Sequence, residues 1–136
     1  MLAVTGVAAA QKTKPCTEWQ TDFVQIEPKS TDGTHINKYV ASKLAGDTSL
    51  KSMATCMVGV KIFANCNGEF DYVKMDYPNN PALKKQCALL LKKTETIING
   101  LKTLAPAKIG GQAKDFAFKL VVKVKRNGEP VAELLY

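Results

Sequence analysis

The residues of this chain that could take part in chemistry are four cysteines and one histidine. Cys16, Cys56, Cys66 and Cys87 are separated by 39, 9 and 20 residues, and His35 stands apart from them. No C-x-x-C pair occurs, so the spacing is not that of a zinc site. An even number of cysteines predicts disulfide bonds, with reduced, buried thiols as the alternative. We therefore expect neither a metal nor another cofactor.

The polar residues do not predict an enzyme either. No serine, histidine and aspartate have a spacing that supports a catalytic triad, and His35 is expected to face solvent on or beside a helix. Gly110 and Gly111 lack the lysine and the serine or threonine that follow in a phosphate-binding loop. Glu69 and Asp71 alternate on a strand beside a turn, where carboxylates are normally solvated. We expect a protein without catalytic residues.

The clearest strand in the sequence is a lysine-rich one over residues 116–124. Its side chains alternate, so phenylalanines, Leu120 and valines share one face while lysines share the other. One face is apolar and one is basic, which predicts that one side of the sheet is open to water. The basic face carries Lys119, Val121, Lys123 and Lys125, and Arg126 follows directly after it.

The elements around this strand follow from hydrophobic periodicity and from turn residues. The chain has 136 residues, of which 46% are hydrophobic and 23% charged, as expected for one globular domain. Thr34 and Asn80 are predicted helix N-caps, and Gly68 and Gly128 follow asparagines in predicted tight turns. We predict a helix over 35–45, strands over 55–64 and 69–75, a helix over 82–99, a link over 101–111 and a strand over 116–124. Residues 131–136 can return as a short strand, although Pro130 limits its pairing.

These elements predict an α+β two-layer domain, with two helices packed on one face of a small antiparallel sheet in the order α-β-β-α-β. The hairpin geometry also predicts the disulfides. Cys56 lies near the start of the first strand on its inward face, and Cys87 lies on the apolar face of the second helix, near its start. We therefore predict Cys56–Cys87, with a Cα–Cα distance below ~7 Å. Cys66, at the opposite end, is left to pair with Cys16.

The N-terminal residues predict export. Residues 1–10 are apolar and end in alanines, and Ala8 and Ala10 supply the small side chains that precede a signal-peptidase site before Gln11, although no basic residue follows Met1. A buried N-terminal strand is the alternative. Residues 11–33 are polar and interrupted by prolines, which predicts an irregular lead-in. Export agrees with disulfides in an oxidising compartment.

The charge is compatible with several anionic partners. Nineteen basic and twelve acidic residues give a net charge of +7, with the excess in the C-terminal two-thirds. This positive charge could attract nucleic acid, anionic lipid or an acidic protein segment. No run approaches the ~18 apolar residues of a membrane-spanning helix. The last long strand places its phenylalanines opposite its lysines, which argues against a base-stacking surface for nucleic acid.

From about residue 36 to 136 the chain resembles the C-terminal periplasmic domain of TonB-type energy transducers. The resemblance lies in the ordered set of the strand over 57–63, the turn at Asn67 and Gly68, the strand ending at 72–75, the helix opening at 80–83, the 104–108 segment, the two glycines at 110–111 and the strand over 116–124. Residues 34–136 are accordingly assigned to a TonB C-terminal-like domain.

The resemblance implies a function without enzymatic activity. Domains of this family bind an extended segment of an outer-membrane transporter in the periplasm by adding it as a strand to a sheet edge. Carried over, the edge would be the strand over 116–124, with Lys119, Val121, Lys123 and Lys125 on its outer face. The resemblance thus implies that these four residues and Arg126 bind the partner. We expect a freestanding periplasmic relative without a membrane anchor, with residues 131–136 as a candidate for strand exchange in a homodimer. The alternative is a nucleic-acid or anionic-surface binder that uses the lysine face.

Overall fold

The computed structural model describes residues 15, 16 and 27–135, so the predicted signal segment over 1–10 and most of the lead-in lie outside the described residues. The described chain is α+β, as predicted. Its elements are α1 (Ile36–Leu44), a 3₁₀ helix (Thr48–Met53), β1 (Met57–Ala64), β2 (Phe70–Met75), a second 3₁₀ helix (Pro81–Leu83), α2 (Lys84–Asn99), β3 (Ala107–Ile109), β4 (Gln112–Lys114), β5 (Phe116–Val124) and β6 (Pro130–Leu135).

Four of the strands form one antiparallel sheet in the order β2-β1-β5-β6. β3 and β4 pair only with each other, in a small hairpin within and just after the segment predicted as a link over 101–111. This hairpin and the two 3₁₀ helices are additions to the predicted element order. The final strand is present as β6, which completes the sheet next to β5.

The hydrophobic core lies against one face of β1 and β5. Alternation along β1 buries Val58, Val60 and Ile62, and alternation along β5 buries Leu120 and Val122 in the same way. Both α-helices contribute their apolar stripes to this core, with Ile36, Val40 and Leu44 from α1 and Cys87, Leu90 and Ile98 from α2. The opposite face of the sheet is called the outer face below.

The two hairpins of the large sheet close with the same turn. Both turns end in Asn-Gly-Glu, and Gly68 and Gly128 have φ values of +80° and +86°. The N–H of Asn65 donates to the carbonyl of Glu69 in the first turn, and the second has the same bond across its ends. Only glycine adopts this left-handed backbone at little cost, which explains why both predicted turns form where they do.

One of the two predicted helix caps is wrong and the other is confirmed. The N–H of Thr34 donates to the carboxylate of Asp32, so Thr34 is held in the preceding turn, and α1 begins after His35 without a side-chain cap. Asn80 does cap, because its side chain accepts a hydrogen bond from the N–H of Ala82. It caps the 3₁₀ turn that leads into α2, so the α-helix begins later than predicted.

Both predicted disulfides are confirmed. The Cα–Cα distances are 5.3 Å for Cys56–Cys87 and 5.9 Å for Cys16–Cys66. Cys56 and Cys87 are buried and join α2 to the start of β1 within the core. Cys16 is exposed and fastens the lead-in to the β1–β2 turn, where the buried carboxylate of Asp115 accepts hydrogen bonds from the N–H groups of Cys16 and Cys66.

Candidate partner-binding site

The strand predicted to be a free edge is in the interior of the sheet, so that expectation is wrong. β5 pairs with β1 along one side and with β6 along the other. From the sequence, Pro130 is expected to limit pairing of the last strand. Pro130 instead occupies the first position of β6, where the register directs its missing N–H away from β5 and no ladder bond is lost. A guest strand therefore cannot pair with the main chain of β5.

The side chains predicted on the outer face of β5 have different environments. Val121 is only 2% exposed, although it belongs to the basic face. Its cross-strand neighbours include Gly59, where an added Cβ would lie 2.8 Å from Cε2 of Tyr77. Tyr77 therefore lies on the outer face over Gly59, and we attribute the burial of Val121 to this ring. Local sequence does not indicate this position of Tyr77, because it depends on how the 76–80 loop folds back.

Two of the predicted lysines already have acidic partners. Nζ of Lys123 lies 3.3 Å from the carboxylate of Glu133 on β6, and Nζ of Lys125 lies 3.7 Å from that of Glu129. Arg126 is exposed in the turn that follows. Exposed pairs of this kind contribute little to stability, and they lower the net positive charge at this end of the strand.

Lys119 differs because another lysine faces it. Lys61 on β1 is directly opposite Lys119 and is also half-buried on the outer face. Nζ of Lys61 lies 5.2 Å from the ring centroid of Phe63. Within the described ranges, neither ammonium forms a salt bridge. Alternation along residues 57–63 could have placed Lys61 on this face, but the register that brings it opposite Lys119 cannot be inferred from local sequence.

Among the described strands, the edges of the large sheet are β2 and β6. Alternation of hydrogen-bonded and non-hydrogen-bonded pairs directs the main-chain N–H and C=O groups of Ala132 and Leu134 away from β5. By the same rule the groups of Tyr72 and Lys74 point away from β1. Across the described residues, no turn or loop backbone bond reaches either set. Both edges therefore present main-chain groups that could pair with another strand.

The two edges are protected to different degrees. Lys74 lies on the core face of β2, where its ammonium is 3.8 Å from Glu95 of α2, and the side chain is 63% exposed. An inward-facing charge on an edge strand discourages pairing with another chain. The corresponding core-face positions of β6 are Ala132 and Leu134, which are apolar and half-buried. β6 therefore lacks an inward-facing charge and is the better candidate for strand addition, and α1 packs beside it.

Two depressions adjoin the sheet. One, of about 350 Å³, lies between the 76–80 loop and α2, and there the side-chain amide of Asn79 hydrogen-bonds both the N–H and the C=O of Met57. Asn79 thus closes the β2 side of β1 at its first residue. The other, of about 260 Å³, is bounded by Thr55, Lys123 and Glu133. Thr55 has a φ of +70°, an uncommon conformation for a β-branched residue.

The shifted ionisable groups are explained by structural contacts. The hydrogen bond from Lys93, together with those from Ser49, lowers the pKa of Asp47 to about 2, and the ion pair spans 2.8 Å. The hydrogen bond from Ser30 lowers the pKa of Asp32. Burial raises the pKa of the Tyr72 hydroxyl. These contacts tie turns and helices together and do not resemble a paired acid and base.

One group of potential metal ligands occurs in the described part of the chain. The donor atoms of Cys16, Cys66 and Asp115 all lie within 4.8 Å of one another. The two sulfurs are joined in a disulfide and are not available as thiolates. The carboxylate instead accepts hydrogen bonds from the main chain at both ends of that disulfide.

Comparison of the chain with protein-family models, with characterised proteins and with solved structures finds no match. The resemblance to TonB C-terminal domains therefore stays a prediction from the sequence. Among the described residues, no helix has the length and apolar character needed to span a bilayer.

Proposed function

We propose that this chain is a protein-interaction module of the TonB C-terminal type, without enzymatic activity, and that it binds an extended segment of a cell-envelope protein by strand addition at β6. An outer-membrane transporter is the kind of partner that the resemblance suggests. The supporting observation is the edge position of β6, with the main-chain groups of Ala132 and Leu134 directed away from β5. Such groups give affinity in strand addition, and the alternating side chains give selectivity.

The compartment in this proposal is the periplasm. Two disulfides are compatible with an oxidising extracellular or periplasmic environment. The proposed site for strand addition is β6 and not β5, which the sequence predicted. β6 supplies the main-chain contacts, and β5 supplies the lysines of the neighbouring outer face.

The test uses random peptides displayed as a library and selected against the full chain with both disulfides formed. A selected peptide should slow hydrogen exchange at the amides of Ala132 and Leu134, because these N–H groups point away from β5 in the free protein and would donate to the bound peptide. Ala132→Pro removes one outward N–H and should abolish binding. Lys74→Pro removes the equivalent N–H from the opposite edge and serves as the matched control. Binding that survives Ala132→Pro, or a failure to select any peptide, would contradict the proposal.

A second candidate function is binding of nucleic acid, and one observation favours it. Phe63 lies on the outer face together with Lys61 and Lys119, so an aromatic ring does accompany the basic residues. The phenylalanines of the last long strand lie on the opposite face, but Phe63 belongs to another strand. A single-stranded oligonucleotide should then bind to the Ala132→Pro variant as well, and its affinity should collapse at ~0.5 M salt.

A further inference from the structure

The outer face carries a row of four side chains that runs across all the strands of the large sheet. Register places Val73 of β2 opposite Lys61 of β1, Lys61 opposite Lys119 of β5, and Lys119 opposite Leu135 of β6. The row is therefore apolar, basic, basic, apolar. Val73 and Leu135 are 50% and 45% exposed, which makes them two of the three exposed large hydrophobic residues among those described.

The two central lysines are in an electrostatically unfavourable position. The N–H of Val124 donates to the carbonyl of Cys56, so the even-numbered residues of β1 form the hydrogen bonds to β5. Lys61 is odd-numbered, and it therefore forms a non-hydrogen-bonded pair with Lys119. Side chains approach most closely in such pairs, and like charges directly opposite each other destabilise a sheet.

Other lysines of this sheet have acidic partners. Lys74 and Lys123, and Lys125 directly after β5, each form a salt bridge with a glutamate. Asp71 lies one row away from the lysine pair, opposite Phe63. The cation–π contact with Phe63 orients Lys61 without neutralising it. The centre of the row thus keeps two positive charges side by side between two exposed aliphatic side chains.

We propose that this row binds an extended acidic peptide that crosses the strands, with one carboxylate bridging Lys61 and Lys119. Strands are about 4.8 Å apart, so the midpoint between the lysines is about 7 Å from Val73 and from Leu135. Side chains on one side of an extended peptide repeat every ~6.8 Å. A peptide with an acidic residue flanked two positions away on each side by apolar residues therefore matches the row.

Phe63 supplies a ring on which a base could stack, but the contacts that the rings of this face already make favour a peptide over a nucleic acid. The ammonium of Lys61 lies over the ring of Phe63, and Tyr77 is packed on Gly59 with its hydroxyl 4.0 Å from the sulfur of Met75. Both rings already make contacts on this face, whereas base stacking needs an accessible ring face. This site uses side chains alone, so it goes beyond strand addition at β6 and does not depend on it.

The binding test uses a fluorescent peptide centred on Val-Thr-Glu-Thr-Val and a companion with glutamine in place of glutamate. The glutamate peptide should bind at least ~10-fold more tightly, because a charge-assisted contact is lost in the companion. Lys61→Gln combined with Lys119→Gln should abolish this difference. Lys85→Gln combined with Lys92→Gln, at exposed positions of α2, is the matched control and should preserve it.

The proposal also predicts that loss of one of the two central lysines stabilises the free protein, although it weakens peptide binding. Lys119→Gln should raise the melting temperature, since it removes the repulsion, whereas a residue with a purely structural role would lower it. The proposal would be overturned if the two peptides bind equally well or if neither binds. It would also be overturned if a single-stranded oligonucleotide or anionic phospholipid vesicles bind more tightly than the glutamate peptide. Ala132→Pro separates the two sites: it should leave this peptide bound while it blocks strand addition.

Discussion

Replacement of Gly68 by alanine is expected to lower the free energy of unfolding by about 4 kcal/mol, which is large against a typical total of 5–15 kcal/mol. Gly68 closes the β1–β2 hairpin with a φ of +80°, and its carbonyl accepts a hydrogen bond of 2.8 Å from the N–H of Leu104. An added Cβ would lie 1.9 Å from the carbonyl oxygen of Leu104. Because that oxygen is main chain, a side-chain rotation cannot relieve the overlap.

The magnitude has three parts. The left-handed backbone costs an alanine about 1 kcal/mol, and loss of the Leu104 hydrogen bond costs about another 1 kcal/mol. Displacement of the buried Leu104 segment adds about 2 kcal/mol, as in an overpacked core. Gly46 is the matched control, because its φ is +87° and no atom lies within 4 Å of an added Cβ. Gly46→Ala should lower the free energy of unfolding only by the cost of the left-handed backbone, about 1 kcal/mol.

Urea unfolding, followed by tryptophan fluorescence and far-ultraviolet circular dichroism with both disulfides intact, gives the two free energies. Gly68→Ala should lower the free energy of unfolding by about 3 kcal/mol more than Gly46→Ala does, at an unchanged m value. If the two variants are equally stable, the close approach to Leu104 has no energetic importance.

Three further predictions concern charge, oxidation state and the outer face. Asp47→Asn should cost about 1 kcal/mol near neutral pH, since the ion pair is partly solvated. The folded pKa of about 2 is below the unfolded value, so this difference should be full above pH ~4 and vanish as the pH falls through about 2, as measured by thermal unfolding. A dithiol reductant should open the exposed Cys16–Cys66 bond before the buried disulfide, and timed alkylation with mass spectrometry will show the order. Tyr77→Ala should cost about 2 kcal/mol in urea unfolding by uncovering Val121, and an unchanged stability would show that the ring does not protect the sheet.

Local patterns were sufficient to predict the parts of the fold that local physics determines. Two-residue alternation identified β1 and β5, and the asparagine–glycine pairs identified both turns. The disulfides could be paired because a hairpin followed by a helix fixes which end of each element is adjacent.

The position of the candidate site could not be predicted in the same way, because it depends on strand neighbours. Whether β5 is an edge depends on whether Pro130 blocks a ladder bond, and that depends on which side of β6 faces inward. We attribute the burial of Val121 to Tyr77, and the ring of Tyr77 returns over Gly59 from a loop without a repeating pattern. The charge of Lys61 is visible in the sequence, whereas its position opposite Lys119 requires the register of two distant strands.

The two proposed surfaces meet at Leu135, and this has a physical consequence. Leu135 is the last described residue of β6 and also one end of the row across the outer face. A strand added to β6 would lie about 4.8 Å beyond it and would cover part of its exposed side chain. Less apolar surface would then remain for a peptide that crosses the face, unless the added strand offers an apolar residue at the same position. Occupation of the edge therefore changes the affinity of the face, and by reciprocity occupation of the face changes that of the edge by the same factor.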